Sequence, residues 1–234
     1  MNPIYTPSGR AKEYGNHCIN IYTGCNHRCF YCFAPSVLHT PREKFHQNVD
    51  LRKDLLPSLE RQLQREDFTG KLIHLCFTCD PYPAPPVDTT PTRQVIQMLK
   101  AAGCHVQILT KGGMRAMRDM DLLDGDDWFG VTLSGNCGAE PGAAPPPERI
   151  LSLQEAYERG IKTWVSFEPV FDPEMVYGAL RHAEFIRLFR IGKLNYYPSP
   201  INWAEFGRTC ERLGEEFGRE VYIKEDLRRE MEKA

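Results

Sequence analysis

The chain contains no apolar run of the roughly 18–20 residues that a membrane-spanning helix needs. Its start, Met1-Asn2-Pro3-Ile4-Tyr5-Thr6-Pro7, has no signal-peptide core. It carries no excess of either charge: 29 Lys and Arg stand against 31 Asp and Glu, giving a net charge of −2 and a pI of about 6.4. A protein whose main task is to grip a phosphate backbone is usually basic, because phosphate contacts supply most of its affinity. Local basic stretches do occur, at Arg181, His182, Arg187, Arg190 and Lys193 and again at Lys224, Arg228 and Arg229, and read as solvated faces. No internal repeat and no linker interrupts the chain. The expectation is a cytoplasmic protein with a single domain over 1–234, its core over about 17–195 and a C-terminal helical extension over about 196–234. At 41% hydrophobic residues the chain is too apolar to be disordered.

Apolar runs alternate with amphipathic stretches, the pattern of βα units around a parallel sheet. Strands are predicted over His17–Tyr22, Lys71–Thr78, His105–Thr110, Trp128–Leu133, Lys162–Phe167 and Glu184–Ile191, with a short extra strand over Val221–Ile223. Helices are predicted over Asp50–Arg65, Thr92–Ala102, Met114–Leu123, Pro147–Arg159, Pro173–His182 and Trp203–Phe217, followed by a polar C-terminal helix. Leu51, Leu55, Leu59 and Leu63 mark the buried face of the first, and Asp50 is its expected N-cap. Pro81 to Pro91, with five prolines, is a loop, as is the Gly-, Ala- and Pro-rich stretch from Asn136 to Pro147. Six main strands are too few for a closed eight-fold barrel.

Against this background the nine cysteines stand out. Three fall within Cys25-Asn26-His27-Arg28-Cys29-Phe30-Tyr31-Cys32, directly after the first strand, with spacing Cys-x3-Cys-x2-Cys. Free thiols at ligand spacing point to a reducing compartment and a metal, not to disulfides. A cubane cluster wants four ligands, so three cysteines leave one iron open to a small molecule. The other reading is a zinc knuckle completed by His27 or His39, for which the spacing is awkward. Cys18, Cys104, Cys137 and Cys210 show no second ligand pattern.

The cysteine run resembles the cluster loop of the radical S-adenosylmethionine superfamily, including an aromatic residue, Tyr31, just before the third cysteine. The strand ends that follow resemble the spore photoproduct lyase-like branch. Phe77-Thr78-Cys79-Asp80-Pro81-Tyr82 is similar to its Thr-Asp-Pro-Tyr stretch, Thr110-Lys111 to its Thr-Lys element, and Ser166-Phe167-Glu168-Pro169 to its Ser-x-Glu-Pro. The resemblance implies an α/β fold with a six-stranded partial (β/α)6 barrel. It also implies a 4Fe-4S cluster on Cys25, Cys29 and Cys32, and S-adenosyl-L-methionine bound by Tyr31, Phe33, Thr78, Asp80, Lys111, Thr132, Ser134 and Glu168. Here Thr78 and Asp80 would take the methionine ammonium, Lys111 its carboxylate, and Glu168 the ribose hydroxyls or substrate. Lys193 and Asn195 lie at the sixth strand end and would reach the same mouth. An external one-electron reductant, flavodoxin or ferredoxin, is implied as partner, and DNA, a nucleotide, a peptide or a small molecule as substrate.

Blander readings stand beside these. Asp80 before a proline initiates turns, Lys111 is an ordinary exposed lysine, Glu168 caps the next turn, and the whole is a non-enzymatic zinc or iron–sulfur module. Spore photoproduct lyases have a hydrogen-donor cysteine at the second strand end, where this chain has Phe77. By strand alternation Cys79 shares the face of Phe77 and Cys76 points away, which makes Cys79 the candidate catalytic donor. A buried inert cysteine is the alternative.

Overall fold

The computed structural model describes residues 2–233. A 3-10 helix, Gly9–Tyr14, leads into β1 (His17–Ile19), the cysteine loop, two short helices α1 (Ala34–Val37) and α2 (Arg42–Gln47), and α3 (Leu55–Arg65). Then follow β2 (Leu72–Leu75), α4 (Thr90–Ala101), β3 (His105–Thr110), a 3-10 helix over Gly113–Leu122 and β4 (Trp128–Thr132). A 3-10 turn at Cys137–Ala139 precedes α5 (Pro146–Glu158), β5 (Lys162–Phe167), α6 (Pro173–His182) and β6 (Leu188–Ile191). The chain closes with α7 (Trp203–Glu216), β7 (Glu220–Ile223) and α8 (Glu225–Glu232). No helix among the described residues is long and apolar enough to cross a membrane.

All seven strands are parallel and lie in sequence order, each paired only with its neighbours. The partial barrel is therefore as expected, with one strand more: the short extra strand is a full member, paired with β6 from Leu188–Glu220 to Ile191–Ile223. Parallel strands bury both faces. One face packs on the helices through Ile73, Leu75, Val106, Ile108, Phe129, Val131, Val165, Phe167, Phe189 and Ile191, all fully buried. The alternate residues His74, Gln107, Trp164, Arg190 and Tyr222 face the concave side. Trp164 fills that lumen because Gly130 opposite has no side chain. A Cβ on Gly130 would lie 2.3 Å from the indole nitrogen, which donates to the Ile108 carbonyl at 2.9 Å.

Helix ends follow local chemistry. Asp172 and Asn202 cap α6 and α7 by accepting from Glu174 N (3.0 Å) and Glu205 N (3.2 Å). Gly103 and Gly160, at φ +72° and +77°, end α4 and α5. Several boundaries differ from expectation. Asp50 caps nothing: it pairs with Thr23, and α3 begins at Leu55. The stretch after β3 is 3-10, not α. β1 and β2 are short, and β2 stops where Cys76 turns to φ +69°.

Candidate functional site

The cysteine loop leaves the carboxyl end of β1 and folds under two neighbours. Its Cys25 amide donates to the Phe45 carbonyl on α2 (3.2 Å), and Phe30 N donates to Ala139 O at 3.0 Å. Gly142 N reaches His27 O at 2.9 Å, where a Cβ on Gly142 would sit 2.2 Å from the Asn26 carbonyl. Burial pushes the Cys29 thiol up to about 11 and the Cys25 thiol well above its ordinary value. The two candidate fourth ligands, His27 and His39, differ in their surroundings. His27 has both nitrogens engaged, Nδ1 3.4 Å from Asp80 Oδ2 and Nε2 3.0 Å from the Arg115 guanidinium. His39 is exposed. Burial drives the His27 pKa down to about 4, against the opposing pull of Asp80.

Asp80 is the junction of the site. Its Oδ1 accepts from Tyr82 N (2.8 Å) and from the Thr110 hydroxyl (2.6 Å), and its Oδ2 from Lys111 N (2.8 Å). Burial alone would raise this carboxyl, but His27, Thr110 and the two amides outweigh it and leave it below the usual range. With three hydrogen bonds from within and His27 beside it, Asp80 ties the cysteine loop to the ends of β2 and β3. Thr78 sits beside it, its amide on Asn20 Oδ1 (2.9 Å) and its hydroxyl accepting from Arg52 (3.2 Å).

On the other side of the loop, Tyr31 donates to Glu140, which pairs at 2.7 Å with Arg149. Both members of this ion pair are 1% exposed. Arg149 also donates to the carbonyls of Ala144 (2.7 Å) and Thr132 (2.8 Å), so it binds the 136–147 loop to the end of β4. Lys111 lies 5.8 Å from the Tyr31 ring. Burial opposes its charge, yet Cys29 and Glu140 nearby hold its pKa above the ordinary value. Thr132 and Ser134 are buried here, and Phe33 turns outward, 53% exposed.

Glu168 faces the lumen from the end of β5. It pairs with Lys224, just beyond β7, and accepts from the Tyr14 hydroxyl at 3.1 Å. Tyr14 comes from the N-terminal 3-10 helix and reaches the barrel axis, 3.2 Å from Ser166 Oγ, its ring 5.7 Å from those of His74 and Phe77. Lys224, read as part of a solvated face, is 3% exposed; Glu13, Glu168 and Tyr14 surround it. Arg190, read the same way, is enclosed by the rings of Tyr14, Trp164 and Tyr222 at 5.1–5.5 Å. Arg187 and Arg228 are solvated, as expected.

Cys79 does not follow Phe77. Phe77 stacks on His74 in the lumen, ring centroids 4.2 Å apart. Cys79, beyond the turn at Cys76, packs against the core and accepts from Tyr22 N at 3.4 Å. Alternation cannot carry its orientation past the end of β2.

Sequence reasoning missed Tyr14, Glu140, Arg149 and Lys224. Glu140 lay in a stretch read only as loop, and Lys224 followed a strand too short to weigh. A charged residue directly after a parallel strand was the available signal.

No protein-family model matches the chain. An uncharacterized protein of Methanocaldococcus jannaschii is 26% identical over 183 residues, 75% of this chain and 66% of that protein. One from Mycobacterium tuberculosis is 29% identical over 121 residues, 50% of this chain and 35% of its own length. The chain thus spans about two thirds and about one third of these relatives. Among solved structures, a mutant spore photoproduct lyase with bound AdoMet and dinucleoside spore photoproduct superposes with a TM-score of 0.67 at 16% identity, over 93% of this chain and 78% of the lyase. Streptococcus suis SuiB bound to S-adenosylmethionine gives 0.62 at 12% identity, over 88% of this chain and 49% of SuiB. The chain has the fold of these proteins.

Proposed function

We propose that the chain is a radical S-adenosylmethionine enzyme with a 4Fe-4S cluster on Cys25, Cys29 and Cys32. The observation that carries this reading is the triad of Cys25, Cys29 and Cys32 at the carboxyl end of β1, Cys29 buried and the other two half-buried, on a partial barrel shared with proteins that bind S-adenosylmethionine. When bound, cluster and S-adenosylmethionine together supply a one-electron reductive cleavage whose 5′-deoxyadenosyl radical takes hydrogen from a substrate.

The chain's own residues supply placement and exclusion of water. Lys111 is a half-buried point cation for the methionine carboxylate. Tyr31, fixed by Glu140, presents a ring to the adenine, and Thr132 and Ser134 line the same wall. Glu168, steadied by Lys224 and Tyr14, accepts from ribose hydroxyls or substrate. Asp80 serves by holding the walls together. The substrate reading that the lyase with its dinucleoside ligand supports is a nucleic-acid lesion or nucleotide. SuiB, solved with precursor peptide SuiA, supports a peptide as the second reading. A flavodoxin or ferredoxin would deliver the electron.

Anaerobic purification tests the proposal. The protein should be brown, with about four irons per chain, and should form 5′-deoxyadenosine with dithionite. Cys29→Ala should lose both iron and cleavage. A colourless zinc protein, or full activity in Cys29→Ala with its iron retained, overturns it.

A further inference from the structure

The short helix behind the cysteine loop makes contacts that the proposed roles leave unused. Arg42 and His46 lie one turn apart on α2. Arg42 Nη1 donates to the Cys29 carbonyl at 2.9 Å and Nη2 to the Cys32 carbonyl at 2.8 Å. His46 Nδ1 donates to the Cys25 carbonyl at 2.7 Å, and its Nε2 faces Arg42 at 3.4 Å. The carbonyls of all three candidate ligands are thus held by two side chains of one six-residue helix. Gly24 permits the approach: a Cβ there would lie 2.3 Å from the carbonyls of Phe45 and Asn48.

We infer that Arg42 and His46 are positioning residues for the cluster: they hold the three thiols in ligating geometry, and the Arg42 charge favours the cluster's reduced form. This rests on the radical S-adenosylmethionine reading above. The guanidinium is permanently charged, and its planar fork takes two acceptors at once, which a lysine cannot copy. Groups behind the ligands fix their orientation, and local charge sets an iron–sulfur potential. A fixed cation at the loop stabilises one added electron. The two roles separate by substitution. Arg42→Lys keeps the charge and loses the fork. Arg42→Met loses both. His46→Ala loses a donor and no charge.

The first measurement uses the cluster-free protein. Hydrogen exchange across 25–32 should rise at least about tenfold in Arg42→Met, which loses two charge-assisted hydrogen bonds, each worth about that factor or more. It should rise in Arg42→Lys and His46→Ala as well, with exchange in the strands unchanged. The second is a redox titration of the loaded protein followed by electron paramagnetic resonance. Arg42→Met should reduce about tenfold less favourably, a midpoint about 59 mV lower for a one-electron couple, while Arg42→Lys and His46→Ala stay near the wild-type value. Unchanged exchange, or a potential that does not move in Arg42→Met, overturns the inference. A wild-type protein that takes up zinc and no iron overturns the cluster reading and the potential with it. Normal loading with unaltered exchange and potential overturns this inference alone.

Discussion

Asp80 shows how one side chain decides between binding and building. Its carboxylate accepts from Tyr82 N, Thr110 Oγ1 and Lys111 N, and faces His27. Asp80→Asn replaces one acceptor oxygen with a donor that must face a donor. An orphaned buried polar group costs about 1–3 kcal/mol, so urea unfolding of Asp80→Asn should show a loss of about that size. A contact to the methionine ammonium would instead weaken S-adenosylmethionine binding at unchanged stability, and calorimetry beside unfolding separates the two. Glu168 differs. Its partners Lys224 and Tyr14 both meet Oε2, and no hydrogen bond among the described residues goes to Oε1.

At the scale of elements, the 136–147 loop matters more than its composition suggests. Glu140 and Arg149 form a buried pair that ties this loop to β4 and to Tyr31 of the cysteine loop. Breaking one partner of a buried pair costs about 3–5 kcal/mol, because the other charge is left without compensation. Arg149→Met should therefore lower unfolding stability by about that amount, and Glu140→Gln in the same chain should recover part of it. Denaturant unfolding of the single and double variants checks both. Equal stability of Arg149→Met and wild type would mean that the pair contributes nothing to holding the wall.

The whole molecule carries a pH dependence from two buried histidines. Burial lowers both His27 and His74 to about 4, below the value of about 6.5 that holds in the unfolded chain. Between those values the unfolded state binds more protons, so stability is fully present above about pH 6.5 and falls as pH drops toward 4. The loss should be on the order of a few kcal/mol, because each tenfold drop in an imidazole's proton affinity on folding is worth about 1.36 kcal/mol. Urea unfolding at a series of pH values reads it directly, and His74→Gln should flatten the slope. A profile that is level from pH 7 to 4.5 would contradict the burial of these imidazoles in neutral form.

Local rules were enough for the βα alternation, the placement of β3, β4 and β5, and the cysteine triad after the first strand, because periodicity and ligand spacing are written along the chain. They failed wherever a residue's environment comes from distant segments. Strand alternation ended at Leu75, so the side assigned to Cys79 did not follow. Lys224 and Arg190 read as solvated charges because nothing near them in sequence supplies Glu168, Tyr14 or Trp164. Asp80 read as a turn former or a ligand, and its wall contacts went unseen, because the Thr110 hydroxyl and the Lys111 amide lie 30 and 31 residues on. The linear pattern settles the repeating architecture and sets three cysteines at ligand spacing after β1. Packing alone sets which charges face the lumen, how Asp80 joins the walls, and which helix backs the three cysteines. Burial and hydrogen-bond satisfaction are properties of packed neighbours, and the chain brings those neighbours together only when it folds.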